Sequence, residues 1–279
     1  MKIKVIADSS SNIFEMKEID YSTVPMKILA GEKEYVDTED LDVYNMVEEL
    51  RVFKDKTSTS CPNAGEWLDA MGDADVVYGF SITSNLSGCY NAAMQAKQMC
   101  EEERPDVKIH IFDSLSVGPE VQLLMEKVTE HIKAGLNFEE TVEKMNEYMK
   151  HTHLLFSLES LANLARNGRV SPLVAKAAGL LGIRLVGKAS DVGTLEPLSK
   201  CRGEKKAMLE VFRLMKENGF SGGPVRISHC FNEGAVAILK EKIRSEFPKC
   251  DIKELLCTGL CSYYAEKGGL IIGYTDANA

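Results

Sequence analysis

Hydrophobic and polar residues form two alternating patterns along the first half of the chain. Short apolar runs such as Lys2–Ala7 and Val76–Phe80 have the length and composition of buried strands. Between them, apolar residues recur at three- and four-residue spacing, as in Val43, Met46 and Leu50, which is typical of one helix face. Repeated strand–helix order of this kind predicts a parallel sheet with helices on both of its faces.

The second half of the chain has a different order of elements. Arg184–Lys188 and Thr194–Leu198 flank a polar turn and predict an antiparallel hairpin, and a helix rich in small residues is predicted at Pro172–Leu181. We therefore predict an α/β protein of two domains. Residues 1–150 form a three-layer α/β domain with a parallel sheet, and residues 151–279 form a two-layer α+β domain with a mixed sheet.

Three hydroxyl-rich segments, predicted as loops, lie where strands end or helices begin: residues 8–12, 57–61 and 81–87. A helix N terminus has free N–H groups and a partial positive charge, so it attracts anions. Ser87 is placed to cap the helix predicted to start there, and Gly88 lets a ligand approach the backbone closely. Together the segments predict a polar pocket mouth for a carboxylate or phosphate, although each alone is more often an ordinary turn or cap.

The composition bounds the class of protein. The chain has 279 residues, of which 44% are hydrophobic and 27% charged, and its net charge is −9. This charge argues against non-specific nucleic-acid binding. We find no apolar run of membrane-spanning length and expect no secretion signal. The eight cysteines are scattered, which indicates reduced thiols, no zinc site and a cytoplasmic location.

Catalytic motifs are scarce. The sequence contains no nucleophile elbow, phosphate-binding loop or dinucleotide fingerprint, so we predict no catalytic residue, metal or cofactor. A serine acyl hydrolase with Ser87 as nucleophile stays open, because a triad assembles in space. A binder of a small phosphorylated metabolite also stays open. The segment from Arg166 to Lys206 is locally basic and offers a surface for phosphate or for an acidic partner.

Several sequence blocks occur together, in this order, in one known family. The blocks are Ile6–Ser10, Lys56–Ser58, Ser84–Ala93, Phe112–Val117, Leu161–Val170 and Lys200–Ala207. Over its whole length the chain resembles the DegV family of bacterial lipid-binding proteins, with Cys89 in place of a family threonine. The resemblance implies an α/β and an α+β domain that bury one long-chain fatty acid between them, without a cofactor.

The same resemblance implies residues that contact the carboxylate of the fatty acid. They are Thr57 and Ser58 in the Thr-Ser turn, and Ser84, Ser87 and the N–H of Gly88 at the helix start. Many family members carry Gly-x-His-x-Gly-Pro-Gly near the C terminus, with the histidine near the carboxylate. Here the sequence departs from that pattern and Tyr264 stands at the histidine position. We expect its hydroxyl to donate a hydrogen bond instead.

The resemblance also implies a protein partner. Family members act as the B subunit of fatty acid kinase, in which they present the acid to a separate ATP-binding kinase subunit and carry the acyl phosphate onward. They are not enzymes by themselves. Arg202 matches a family arginine linked to the kinase step, and we expect Arg169 to face the partner or the phosphate. No nucleic acid and no stable membrane insertion are expected.

Overall fold

The computed structural model describes residues 1–176 and 182–279. Its strands are β1 (Ile3–Asp8), β2 (Asp20–Val24), β3 (Lys27–Ala30), β4 (Lys33–Val36), β5 (Thr57–Ser60), β6 (Val76–Ser81), β7 (Lys108–Asp113), β8 (Thr152–Leu158), β9 (Ile183–Ala189), β10 (Leu195–Arg202), β11 (Val225–His229), β12 (Ile252–Leu256) and β13 (Leu270–Thr275). Its α-helices are α1 (Val43–Val52), α2 (Ala64–Met71), α3 (Cys89–Glu103), α4 (Pro119–Lys133), α5 (Phe138–Tyr148), α6 (Ala162–Arg166), α7 (Pro172–Lys176), α8 (Glu204–Glu217), α9 (Glu233–Glu246) and α10 (Gly259–Ala265).

A four-stranded parallel sheet forms the centre of the first half, in the order β2-β1-β6-β7. Successive residues of β1 point to opposite faces. Val5 and Ala7 pack in a core with α4 and α5, whereas Ile6 packs in a core with α2 and α3. Helices therefore cover both faces of the sheet and give three layers.

A six-stranded mixed sheet forms the second half, in the order β10-β9-β8-β13-β11-β12. Its neighbours are antiparallel except β11 and β12, which are parallel. Leu155 of β8 and Val186 of β9 face a core shared with α8 and α9. Phe156 and Leu185 face the opposite side, in a core shared with β3 and α1 of the first half. The predicted α/β class, with a parallel sheet first and a mixed sheet second, is confirmed.

Helix α4 contacts both sheets. A side chain at Gly273 of β13 would come within 2.5 Å of the Glu120 backbone nitrogen, so only glycine fits below this helix. Glu120 is buried, with 6% of its surface exposed. It accepts hydrogen bonds from the hydroxyls of Ser116 and, at 2.7 Å, Thr152. Burial raises the pKa of Glu120 to about 7. An ionisable group therefore lies where the two halves meet.

The structure differs from the predicted elements at three places. The apolar run Val24–Leu29 predicts a single strand, but the structure divides it between β2 and β3, because Pro25 has no N–H to donate to a ladder. The loop predicted over residues 57–61 is strand β5 through Ser60, paired with β3. Helix α3 begins at Cys89 rather than Ser87.

Two predictions about chain organisation stay open. The helix predicted at Pro172–Leu181 begins at Pro172 as α7, and residues 177–181 lie outside the described part of the chain. The domain boundary at residue 150 stays a prediction. Within the ranges 1–176 and 182–279, no helix combines the length and the apolar character needed to cross a bilayer.

Candidate functional site

A cavity lies between the parallel-sheet half and the mixed sheet, and it includes about 830 Å³ of space not filled by atoms, part of which is open to solvent. One wall is apolar: it consists of Leu154, Phe156 and Leu158, which point the same way from β8, and Ile271 of β13. Residues of the first half, including Ile82, complete the enclosure. Its largely apolar surface is typical of small-molecule pockets.

Four polar side chains of the lining come from two elements and two connecting segments: Thr59 of β5, Tyr264 of α10, Ser87 before α3 and Arg169 between α6 and α7. The lining also includes Thr83, Ser116, Lys188 and Thr194. The Ser87 hydroxyl accepts the N–H of Cys89, the first residue of α3, at 3.3 Å. The helix start predicted to meet an anion is therefore at the cavity, with a serine hydroxyl beside it.

Two adjacent tyrosines of α10 meet two threonines of β5. The hydroxyls of Tyr264 and Thr59 are 2.7 Å apart, and those of Tyr263 and Thr57 are also 2.7 Å apart. The two rings pack edge to face with centroids 4.8 Å apart. Burial raises the pKa of Tyr264, so its hydroxyl is protonated and able to donate. The Tyr264–Thr59 pair faces the cavity, and the Tyr263–Thr57 pair lies behind it.

The start of α10 is held by a carboxylate from the first half. Asp37 follows β4 and is fully buried. Its oxygens accept the N–H groups of Gly259 at 2.6 Å and Leu260 at 2.9 Å, the first two residues of the helix. Burial raises the pKa of Asp37 to about 6, although these N–H groups oppose the rise. Asp37 thereby fixes the helix that carries Tyr264.

A second buried carboxylate joins two of the hydroxyl-rich segments. Asp8 ends β1, and its oxygens accept the N–H of Ser10 at 3.0 Å, the N–H of Ile82 at 2.7 Å and the thiol of Cys89 at 3.2 Å. Burial raises the pKa of Asp8. Asp8 does not itself line the cavity, and its contacts position the segment that ends at Ser87.

Arg169 brings a guanidinium to the cavity wall. Its Nε donates to the backbone oxygen of Leu86 at 3.0 Å, and its Nη1 donates to the backbone oxygen of Asn167. These contacts tie the segment before α7 to the segment before α3. A cationic group is thereby available at the polar part of the cavity.

Three residues predicted for the site, Ser87, Arg169 and Tyr264, are brought together in the cavity lining. The other five predicted residues do not line the cavity. Thr57 contacts Tyr263 instead, and Gly88 is the N-cap residue of α3.

The remaining three predicted residues have different positions. The Ser84 N–H donates to Asp113 Oδ1 at 3.0 Å, and Ser58 lies between Thr57 and Thr59 on β5, where alternate side chains face away from the cavity. Arg202 is exposed at the end of β10. Thr59 is a lining residue that the sequence did not predict. Thr59 could have been predicted from its spacing of two residues from Thr57, because that spacing places both threonines on one face of a strand.

The described residues bring neither a histidine base nor a metal-binding cluster to the cavity. The lining within 1–176 and 182–279 includes no histidine. The same residues contain no cluster of three or more histidine, cysteine or acidic side chains arranged to hold a metal ion.

These features define an α/β protein that encloses an apolar cavity with a polar end between two sheets. The family model described as an uncharacterised protein of the DegV family matches residues 2–275. A DegV domain-containing protein of Streptococcus pneumoniae strain R6 is 41% identical over 278 residues, which cover 98% of this chain and 99% of the relative. The chain belongs to the DegV family.

Two solved structures share both the fold and much of the sequence. The fatty acid kinase (Fak) B3 protein of Streptococcus pneumoniae, loaded with linoleic acid, has a TM-score of 0.97 and 41% identity, with 99% of each chain covered. A DegV family protein of Eubacterium eligens, loaded with heptadecanoic acid, has a TM-score of 0.96 and 39% identity, covering 98% of this chain and 99% of that one.

Proposed function

We propose that this protein binds one long-chain fatty acid in the cavity between its two halves. The observation that carries the proposal is the form of the cavity, with an apolar wall from β8 and β13 and polar side chains gathered at Ser87, Thr59 and Tyr264. Two proteins that share the fold at about two-fifths sequence identity were solved with fatty acids bound. Both the shape and the relatives favour this class of ligand.

The energetics of the cavity suit an acyl chain. Burial of a methylene contributes about 0.8 kcal/mol, so a long chain gains most of its affinity from the apolar wall. The carboxylate then requires orientation more than charge neutralisation. Hydroxyl groups and free N–H groups at a helix start provide that orientation without a direct ion pair.

We assign the carboxylate to the polar end of the cavity. Ser87, the N–H of Gly88 and Tyr264 are the proposed contacts, and Thr59 joins them through its hydrogen bond to Tyr264. Ser58, Ser84 and Thr57 were predicted as direct contacts from the family pattern, and substitution of each tests that prediction. Of these, Thr57 supports the site from behind, through Tyr263.

We further propose that the bound acid is presented to a separate ATP-binding kinase subunit in the cytoplasm, where ATP is available. A carboxylate oxygen attacks the γ-phosphorus of ATP, the bond to the ADP oxygen breaks, and the acyl phosphate stays on this protein. Arg169 and the exposed Arg202 are the proposed phosphate- and partner-facing groups. This protein supplies binding and orientation, and the partner supplies the phosphoryl-transfer machinery.

The two rival functions have less support. An acyl hydrolase needs a base for Ser87, yet the Ser87 hydroxyl accepts a backbone N–H and the described lining contains no histidine. A phosphorylated metabolite needs a mainly polar pocket, whereas β8 presents a continuous apolar wall.

The first test is mass spectrometry of an organic extract from the purified, denatured protein. A stoichiometric long-chain fatty acid supports the proposal. An empty extract together with no uptake of added palmitate contradicts it. The kinase step is tested separately: the loaded protein is incubated with ATP and a fatty acid kinase catalytic subunit, and acyl phosphate is trapped with hydroxylamine. Binding without transfer would overturn only the kinase proposal.

A further inference from the structure

Phe156 is the bulkiest apolar side chain of the cavity wall. Of the described residues that line the cavity, only Phe156 and Tyr264 are aromatic, and Tyr264 belongs to the polar end. Phe156 is 3% exposed and lies between Leu154 and Leu158 on the same face of β8. Its backbone pairs with Ile271 of β13 on one side and with Gly187 of β9 on the other. Phe156 is therefore central to the apolar wall.

The Phe156 ring occupies the space that a side chain at position 187 would need. A Cβ atom on Gly187 would lie 2.3 Å from Phe156 Cζ and 2.8 Å from Phe156 Cε2. Real atoms do not approach so closely, so the ring lies across the glycine rather than upright above the sheet. The glycine thereby gives the ring a recess in the wall, and the space in front of the ring belongs to the cavity.

The neighbours of Gly187 on the same face of β9 both carry side chains. The other β9 residue on this face near the cavity is Ala189, and Leu185 belongs to the same core. The depth of the wall at its centre consequently depends on two residues, the size of side chain 156 and the absence of one at 187.

We propose that Phe156, recessed over Gly187, determines the length of acyl chain that the cavity accepts. This inference rests on the proposed fatty-acid binding and deepens it by naming the residues that select the ligand. A smaller side chain at position 156 lengthens the space open to the chain. A larger one projects from the recess and shortens it.

The test is a comparison of binding profiles for lauric, palmitic, stearic and behenic acids, measured by displacement of a fluorescent fatty acid from the delipidated protein. Phe156→Ala is expected to move the preferred acid to a longer chain, and Phe156→Trp to a shorter one. Each added methylene that becomes buried is expected to tighten binding about fourfold, the equivalent of about 0.8 kcal/mol.

Leu155→Ala is the matched control. Leu155 is the preceding residue of β8 and is 1% exposed, but it faces the core shared with α8 and α9. This variant loses core packing on the same strand without opening the cavity, so its preferred acid is expected to be that of the wild type. Phe156→Leu accompanies Phe156→Ala as a milder change that preserves folding.

The outcomes separate this inference from the function on which it rests. If the wild type binds none of the acids, the proposed function is wrong. If the wild type binds but folded Phe156→Ala, Phe156→Leu and Phe156→Trp keep its preferred acid, the role of Phe156 is overturned. A shift of equal size in Leu155→Ala also overturns it, because the effect then follows from loosened packing.

Discussion

The hydroxyl oxygens of Tyr264 on α10 and Thr59 on β5 lie 2.7 Å apart at the polar end of the cavity. The family resemblance assigns Tyr264 to the position of a histidine. This half-buried phenol is neutral, because burial raises its pKa. The polar end thus offers a hydrogen-bond donor whose charge does not change over the physiological range, whereas a histidine titrates there.

Removal of the Tyr264 hydroxyl is expected to weaken fatty-acid binding. Tyr264→Phe keeps the ring and deletes one hydrogen bond to a charged group, a loss of about 1.5–3 kcal/mol. Titration of the delipidated variant with palmitate measures the change. Tyr263→Phe is the matched control, because its hydroxyl contacts Thr57 and Asn167 outside the cavity. Equal weakening in both variants would contradict a direct role for Tyr264.

Ser87→Ala is expected to loosen the carboxylate without unfolding the protein. The hydroxyl lies beside the first turn of α3, and its loss removes a donor worth about 1–2 kcal/mol toward a charged ligand. The same palmitate titration measures this loss. Ser84→Ala, three residues earlier and outside the cavity lining, is the comparison. A larger effect at Ser84 than at Ser87 would place the carboxylate elsewhere.

Asp37→Ala is expected to lower the free energy of unfolding by about 2 kcal/mol or more. The substitution leaves the N–H groups of Gly259 and Leu260 buried without an acceptor. Asp42→Ala provides the control, since Asp42 caps the exposed start of α1 through the N–H of Asn45. Urea unfolding of both variants makes the comparison. A similar decrease in the free energy of unfolding for both variants would mean that burial does not increase the stabilisation by the Asp37 cap.

Glu120 is expected to make stability fall as the pH rises. Its pKa is near 4.5 in the unfolded chain and about 7 in the folded protein, so the folded state binds the additional proton between those values. The protonated Glu120 side chain stabilises the folded state fully below pH 4.5, and this contribution is lost as the pH rises through 7. Its total is on the order of 3 kcal/mol.

Glu120→Gln isolates this contribution. Asp37, whose pKa is raised to about 6, produces a slope of the same sign at lower pH in both proteins, and subtraction removes it. Urea unfolding at pH 5 and pH 8 is expected to show a smaller decrease for Glu120→Gln than for the wild type. Glu139→Gln, an exposed substitution, is expected to keep the wild-type slope. Identical slopes in all three proteins would show that Glu120 does not titrate in this range.

Much of the fold follows from local patterns. The apolar run at Val76–Phe80 and the helical spacing at Val43–Leu50 became β6 and α1, because period and burial coincide there. Strand β5 was predicted as a loop because its four residues are all Ser or Thr. The pairing with β3 that makes it a strand is a tertiary contact. Helix α10 was not predicted either, since its start depends on Asp37, more than two hundred residues away.

The candidate site was predictable to the extent that family motifs carry it. Ser87, Arg169 and Tyr264 came from motif positions and meet in the cavity. Thr59 did not, because Thr57 and Thr59 share one face of β5, and only the positions of Tyr263 and Tyr264 decide which threonine reaches the cavity. The family motif identified Arg202, but it could not predict where Arg202 lies relative to the cavity. Its distance from the lining depends on the β9–β10 hairpin rather than on local sequence.

The apolar wall of the cavity is also a face of the hydrophobic core. Leu154, Phe156, Leu158 and Ile271 belong to one buried cluster that joins β8 and β13 to the first half of the chain. Under the proposed function, the acyl chain completes that cluster and stabilises only the folded state. An unloaded molecule then unfolds more often and meets cellular proteases sooner. The amount of this protein in the cell is therefore expected to rise and fall with the supply of free fatty acid, without any change in its synthesis.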